Sequence, residues 1–139
     1  MSAAPITTAS LQLALSEWFA PWVQDLRLEV LQASGSEVTL RLPLSAAITR
    51  IGDVVCGQAL MAAADTAMVL ALTQHLGGFR PMTTVQLNTS FLRPLSAQDA
   101  WVQALVLRAG KSLAFGEITV TGASDGKCVS KSSTTYALL

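Results

Sequence analysis

Charge is the scarcest component of this chain. Nine basic and nine acidic side chains amount to 13% of 139 residues and cancel to a formal net charge of zero, whereas ordinary soluble domains carry roughly 25% charged residues. So little charge cannot cover the surface of a lone protomer, and a homo-oligomer is expected. No block of Lys or Arg occurs, which removes the electrostatic footprint that nucleic acid or an anionic membrane would need, so neither is expected as a partner. The two cysteines, Cys56 and Cys128, have no C-x-x-C or Cys/His ligand spacing. Neither a disulfide framework nor a zinc site is indicated, and a reducing, cytoplasmic location fits. The opening MSAAPITTASLQLAL has no basic segment leading into a clean apolar run, so no secretion signal is expected. The longest apolar stretch, residues 59–72, is interrupted by Asp65 and Thr66 and is too short to cross a hydrocarbon layer of about 30 Å. With no internal repeat and no linker rich in Gly, Ser or Pro, residues 1–139 read as one domain, residues 1–24 forming an N-terminal helical segment.

The apolar residues, 51% of the chain, supply the pattern. Residues 9–22 suit a short amphipathic helix with Leu11, Leu13, Leu15, Trp18 and Phe19 apolar and Pro21 near its end. From Leu26 the period changes to two: LRLEVLQ and EVTLRLPL alternate around Ala33-Ser34-Gly35-Ser36 and predict a hairpin. A loop over residues 48–56 leads into GQALMAAADTAMVLALTQHL, a run of helix formers stopped by Gly77-Gly78 and thus a helix roughly 30 Å long. On a wheel, Gln58, Met61, Ala62, Met68, Val69 and Leu72 share the side of Asp65, while Leu60, Ala63, Ala67 and Leu70 lie opposite. A helix apolar on both sides should be enclosed, and sheet is the material available to enclose it. Residues 83–92, 100–108, 112–121 and 127–137 have strand character, and short connections at Arg93-Pro94, Gly110-Lys111 and Asp125-Gly126 predict antiparallel neighbours. A twisted antiparallel sheet curled around one long central helix, an α+β hot-dog architecture, satisfies this order and the wheel together.

Three segments carry a family resemblance. GDVVCGQALMAAADTA is similar to a loop-to-helix stretch with Gly at the helix start and an acid two turns on, matched by Gly57 and Asp65. TTVQLNTSFLRP resembles a strand that ends in an aromatic and then Leu-Arg-Pro, and VLRAGKSLAFGEITV resembles a strand-Gly-basic-strand pairing. In this order, over residues 51–138, they resemble the hot-dog acyl-CoA thioesterases of the phenylacetic acid degradation (PaaI) type. That family usually has His-Gly-Gly where this chain has Cys56-Gly57-Gln58, and often Asn or Gln where this chain has Arg50. The resemblance implies hydrolysis of an acyl-CoA thioester to the acid and free coenzyme A at a subunit interface. It further implies a homodimer, extended to a homotetramer, with no metal and no cofactor beyond the coenzyme A of the substrate.

Asp65 is the only formal charge between Asp53 and Arg80. A carboxylate in an apolar helix is costly unless it faces a cavity, water or a partner, which makes it a site candidate; the bland alternative is a solvent stripe shared with Gln58. For thioester chemistry Asp65 is assigned as general base or nucleophile, and the Gly57 amide at the helix start as the donor that polarises the carbonyl. The two lie about 12 Å apart along the helix axis, and the resemblance implies that the acid of one chain meets the Gly amide of the other. Thr84 is a candidate for orienting water or the carboxylate. Arg50, Cys56 and Gln58 around Gly57, and Arg93 and Lys111 near strand ends, are assigned to substrate binding, the two latter for phosphate; Arg108 is a further strand-end cation. His75, the sole histidine, suits the negative end of the helix dipole. It lies about 15 Å along the axis from Asp65, too far to form the His–carboxylate pair of a hot-dog dehydratase. Cys56 has no nearby base to activate it and reads as a small apolar filler. The alternative function is a non-catalytic acyl-CoA-binding protein, favoured by Arg50.

Overall fold

The structure is a computed structural model and describes residues 5–139; residues 1–4 of the expected N-terminal segment lie outside the described residues. The helix expected over residues 9–22 divides into α1 (Thr8–Glu17) and α2 (Pro21–Gln24). The cause is Pro21: it disfavours helical backbone at Ala20, which is extended at φ −56° and ψ 148°, and it then opens α2 at its first turn. A reciprocal capping box between Thr7 and Ser10 starts α1, which buries Leu11, Ala14 and Leu15.

The hairpin forms as β1 (Glu29–Ser34) and β2 (Glu37–Leu42), turning at Gly35 with φ +59°. The expected loop over residues 48–56 is more ordered than predicted. A 3-10 turn at Ala46–Ile48 is followed by a miniature ladder, β3 (Thr49–Arg50) with β4 (Val54–Val55), around Gly52 and Asp53, both at positive φ. The long helix α3 spans Gly57–Leu76 and ends on a left-handed Gly77. Four long strands follow: β5 (Met82–Phe91), β6 (Ala100–Ala109), β7 (Leu113–Gly122) and β8 (Cys128–Leu138).

One antiparallel six-stranded sheet has the order β1-β2-β6-β7-β8-β5. The expected neighbours β6/β7 and β7/β8 do pair. The connection through Arg93-Pro94 does not join neighbours: β5 pairs with β8 at one edge, and β6 pairs with β2. That connection is held across the start of α3 by Val55 N–H donating to Leu95 O at 2.9 Å, with Leu95 buried. The hot-dog expectation therefore stands, with one correction: the sheet does not enclose α3 fully. Ala63, Ala67, Leu70 and Ala71 are sealed against sheet, whereas Met61, Ala62, Asp65 and Val69 stay half-buried on the side of β5. By length and composition α3 could also cross a membrane, but most of it is buried inside this domain, as a core helix is.

Candidate active site

The half-buried stripe of α3 places Asp65 against two hydroxyls. Thr84 Oγ1 on β5 donates to Asp65 Oδ1 at 2.9 Å. The Tyr136 hydroxyl on β8 shares its single proton between the same Oδ1 and the backbone carbonyl of Asp65, the latter at 2.9 Å. Thr84 and Tyr136 are cross-strand partners, so one rung of the sheet supplies both donors. Tyr136 is only 1% exposed. Burial first, and the Asp65 charge second, push its hydroxyl far above the ordinary tyrosine range, so it remains a protonated donor. Asp65, Thr84 and Tyr136 open into a cleft of about 260 Å³ whose far wall is Phe19, Trp22 and Val23.

A bulge in β5 makes this arrangement compatible with a second one at the helix start. Between Thr84 and Gln86 the register with β8 slips, leaving Val85 as the extra residue. Ser130, Ser132, Thr134 and Tyr136 of β8 all face inward, and their partners on β5 are Phe91, Thr89, Leu87 and Thr84. Without the extra residue, strict alternation would turn either Thr84 or Phe91 away from α3. Thr134 Oγ1 donates to Gln86 O at 2.7 Å and ties down the irregular turn of backbone.

Phe91 lies over the N-terminus of α3: a Cβ added at Gly57 would sit 3.2 Å from its ring. Cys56 caps the helix with backbone alone, its N–H spent on Ile48 O at 2.8 Å, and no acidic residue occupies the first turn. The first-turn amides of α3 are therefore without intrahelical acceptors and sit at the positive end of the helix dipole. A cleft of about 380 Å³ there is lined by Arg50, Gly57, Phe91 and Arg93 among others. The Arg50 guanidinium donates to Ile51 O at 3.0 Å, Cys56 is half-buried, and Gln58 is exposed.

Within one chain, then, Asp65 and Thr84 come together as the sequence suggested, while Gly57, Arg50 and Arg93 line a separate cleft whose walls include neither Cys56 nor Gln58. Lys111 lies at the opposite end of the sheet from Arg93: its carbonyl accepts from Arg80 Nη2 at 2.9 Å, whereas the Arg93 N–H approaches Val129 O. His75, in the last turn of α3, is in hydrogen-bond contact with Ser36 Oγ at 2.7 Å, apart from Asp65. Sequence reasoning missed Tyr136, Phe19 and Trp22 as components of the site. Tyr136 carried a signal, being the only tyrosine of the chain and standing in a strand otherwise rich in Ser and Thr.

The sequence pattern of the thioesterase superfamily matches residues 51–129, which include α3, β5, β6 and β7 in full. The chain belongs to the thioesterase superfamily. An esterase-named protein of Thermoplasma acidophilum is 28% identical over 83% of this chain and 86% of its own length. Thioesterase superfamily member 2 of zebrafish superposes with a TM-score of 0.86 at 22% identity, covering 96% of this chain and 99% of that one. A variant of the phenylacetic acid degradation protein PaaI from Thermus thermophilus superposes with a TM-score of 0.76 at 23% identity, covering 86% of this chain and 100% of that one. These structural likenesses concern the fold, while the superfamily membership and the esterase-named relative support a hydrolase of thioesters or esters.

Proposed function

We propose that this member of the thioesterase superfamily is a PaaI-like acyl-CoA thioesterase acting as a cytoplasmic homodimer, itself paired into a homotetramer. The observation that carries the reading is Asp65, a carboxylate in the middle of the core helix, held by two hydroxyl donors and opening onto an apolar cleft. A carboxylate so placed can accept a proton from water or attack a carbonyl carbon itself.

The exposed edge of the sheet supports the same reading. β5 is an edge strand exposed along almost its whole length, with Val85 60% and Phe91 50% exposed. An unpaired edge next to a half-buried helix stripe is the surface that a second copy covers. If two β5 edges meet antiparallel about a twofold axis, the Phe91 end of one protomer meets the Met82 end of its partner. The Gly57 amide would then approach the partner's Asp65, and Arg93 would approach the end of the partner that carries Lys111. In that arrangement the acyl group lies in the aromatic-walled cleft and its carbonyl oxygen accepts from the first-turn amides of α3. With Asp65 as base, the water proton passes to the carboxylate and the water oxygen bonds to the carbonyl carbon. The charge gathers on the oxygen facing the helix start. The C–S bond then breaks and coenzyme A leaves as thiolate, regaining a proton. With Asp65 as nucleophile, its oxygen bonds to the carbonyl carbon, the C–S bond breaks and coenzyme A leaves as thiolate; water then opens the mixed anhydride to the free acid and the Asp65 carboxylate, and its proton goes to the thiolate. Arg93 and Lys111 supply the charge for the nucleotide phosphates.

Thiol release measured across short, long and aryl acyl-CoA substrates tests this. Asp65→Asn should lower kcat by at least about a hundredfold while the protein keeps its melting temperature within a few degrees. The second reading, an acyl-CoA-binding protein without turnover, draws on Arg50 beside Gly57 and on the absence of the family's usual histidine. Saturable binding of acyl-CoA with no thiol release from any substrate would replace the first reading by the second.

A further inference from the structure

We propose that Tyr136 is a positioning residue of this site: together with Thr84 it fixes Oδ1 of Asp65, leaving Oδ2 as the oxygen that meets water or the acyl carbon. The inference rests on Asp65 as the reacting acid and goes one step further, to which of its oxygens reacts and what holds it there.

The terminal torsion of an aspartate is soft, so its two oxygens ordinarily interchange. Here both hydroxyl donors fall on Oδ1, and among the described residues none reaches Oδ2. Turning the carboxylate over would break the two bonds at once. The one proton of the Tyr136 hydroxyl is shared with the Asp65 backbone carbonyl at 2.9 Å, so the backbone of α3 as well as the carboxylate holds the hydroxyl in place. The ring is sealed between strand and helix at 1% exposure, and its cross-strand partner is Thr84. Such a donor supports a charged acceptor more strongly than a neutral one. The residues lining this cleft from the α1–α2 segment, α3, β5 and β8 include no titratable group besides Asp65 and Tyr136, so the two report on each other.

The test uses the full chain and the acyl-CoA that the wild type turns over fastest. Tyr136→Phe should lower kcat roughly tenfold to a hundredfold, leave KM within about twofold, and move the acid limb of the kcat profile to higher pH. Thr84→Val should act in the same direction and more weakly. Because Tyr136 is the only tyrosine, growth on 3-fluorotyrosine alters this hydroxyl alone and keeps the packing. The more acidic phenol should move the acid limb to lower pH, and this readout holds even if Tyr136→Phe folds poorly. An inactive Asp65→Asn beside a Tyr136→Phe or fluorotyrosine protein with unchanged kcat and acid limb would overturn the positioning role while leaving the acid in place. An Asp65→Asn protein with undiminished kcat would remove the acid assignment first, and the positioning role with it.

Discussion

β5 and β6 are strands of equal length, ten residues each, in one sheet. β6 lies between β2 and β7; its inward Ala100, Val102, Ala104 and Val106 are all buried, and burial alternates cleanly along most of it. β5 pairs only with β8, is exposed almost throughout, and faces α3 with Thr84, Leu87, Thr89 and Phe91. The same helix is thus sealed by small and branched alkyl side chains on one flank and met by hydroxyls on the other. The closed flank accounts for why the chain folds. The open flank carries polar groups that would be costly in a sealed core, and its β5 edge has no strand partner on its outer side among the described residues.

The sharpest way to break this comparison is to ask whether the open flank works within a single chain. Asp65→Asn and Gly57→Val should each be nearly inactive as purified homodimers. After co-refolding equal amounts, a site built from one protomer's Asp65 and the other's Gly57 regenerates one intact site per hybrid dimer. Activity should then recover to about a quarter of wild type, the statistical yield for a twofold-symmetric pair. If each chain carries its own complete site, both sites in the hybrid are dead and nothing is recovered.

The contrast also explains what could be read from the sequence. Asp65 was legible because a lone charge in an apolar helix violates the pattern around it, and α3 and the last four strands were legible because their patterns are long. The edge position of β5 was not, since TTVQLNTSF looks the same whether one or two neighbours pair with it; the neighbour is fixed by where the chain through Leu95 crosses the start of α3. The bulge at Val85 was equally hidden. A period-two reading puts Thr84 and Phe91 on opposite faces, and only the pairing with β8 reveals that both face the helix. Tyr136 joins Asp65 across a long sequence separation, a contact that no local periodicity carries. Pro21, by contrast, was visible, but its effect was set too late, at the end of a helix that it divides.

A second prediction concerns the closed flank. Gly116 on β7 faces Met68 of α3 so closely that an added Cβ would lie 2.2 Å from Met68 Cε and 3.0 Å from Leu105 O. Met68 is buried and the carbonyl is part of a strand, so neither yields freely. Gly116→Ala should lose about 1–3 kcal/mol, as overpacked cores do, and thermal denaturation will register it. In a Met68→Ala background, itself destabilised by the cavity it opens, Gly116→Ala should cost less than in wild type, because the atoms that the methyl group strikes are gone. A Gly116→Ala protein as stable as wild type would mean that this flank is loosely packed, and the contrast with β5 would fade.

The smallest effect lies where the closed flank is pinned at its corner. Asp99, just before β6, accepts the Leu44 N–H at 2.7 Å and the Arg41 guanidinium at 2.8 Å, while Arg41 also pairs with Glu29. The Leu44 amide first, and Arg41 second, hold the Asp99 carboxyl below the ordinary carboxylate value of 3.8. A carboxyl depressed in the folded state adds stability that is fully present above its unfolded value and fades as pH falls through the folded one. Melting temperatures of wild type and Asp99→Asn should therefore differ at neutral pH by a few degrees at most, since the group is partly solvated. The two curves should converge as the pH drops below about 4. Parallel curves down to the lowest pH would assign the difference to lost geometry at Leu44 and not to charge.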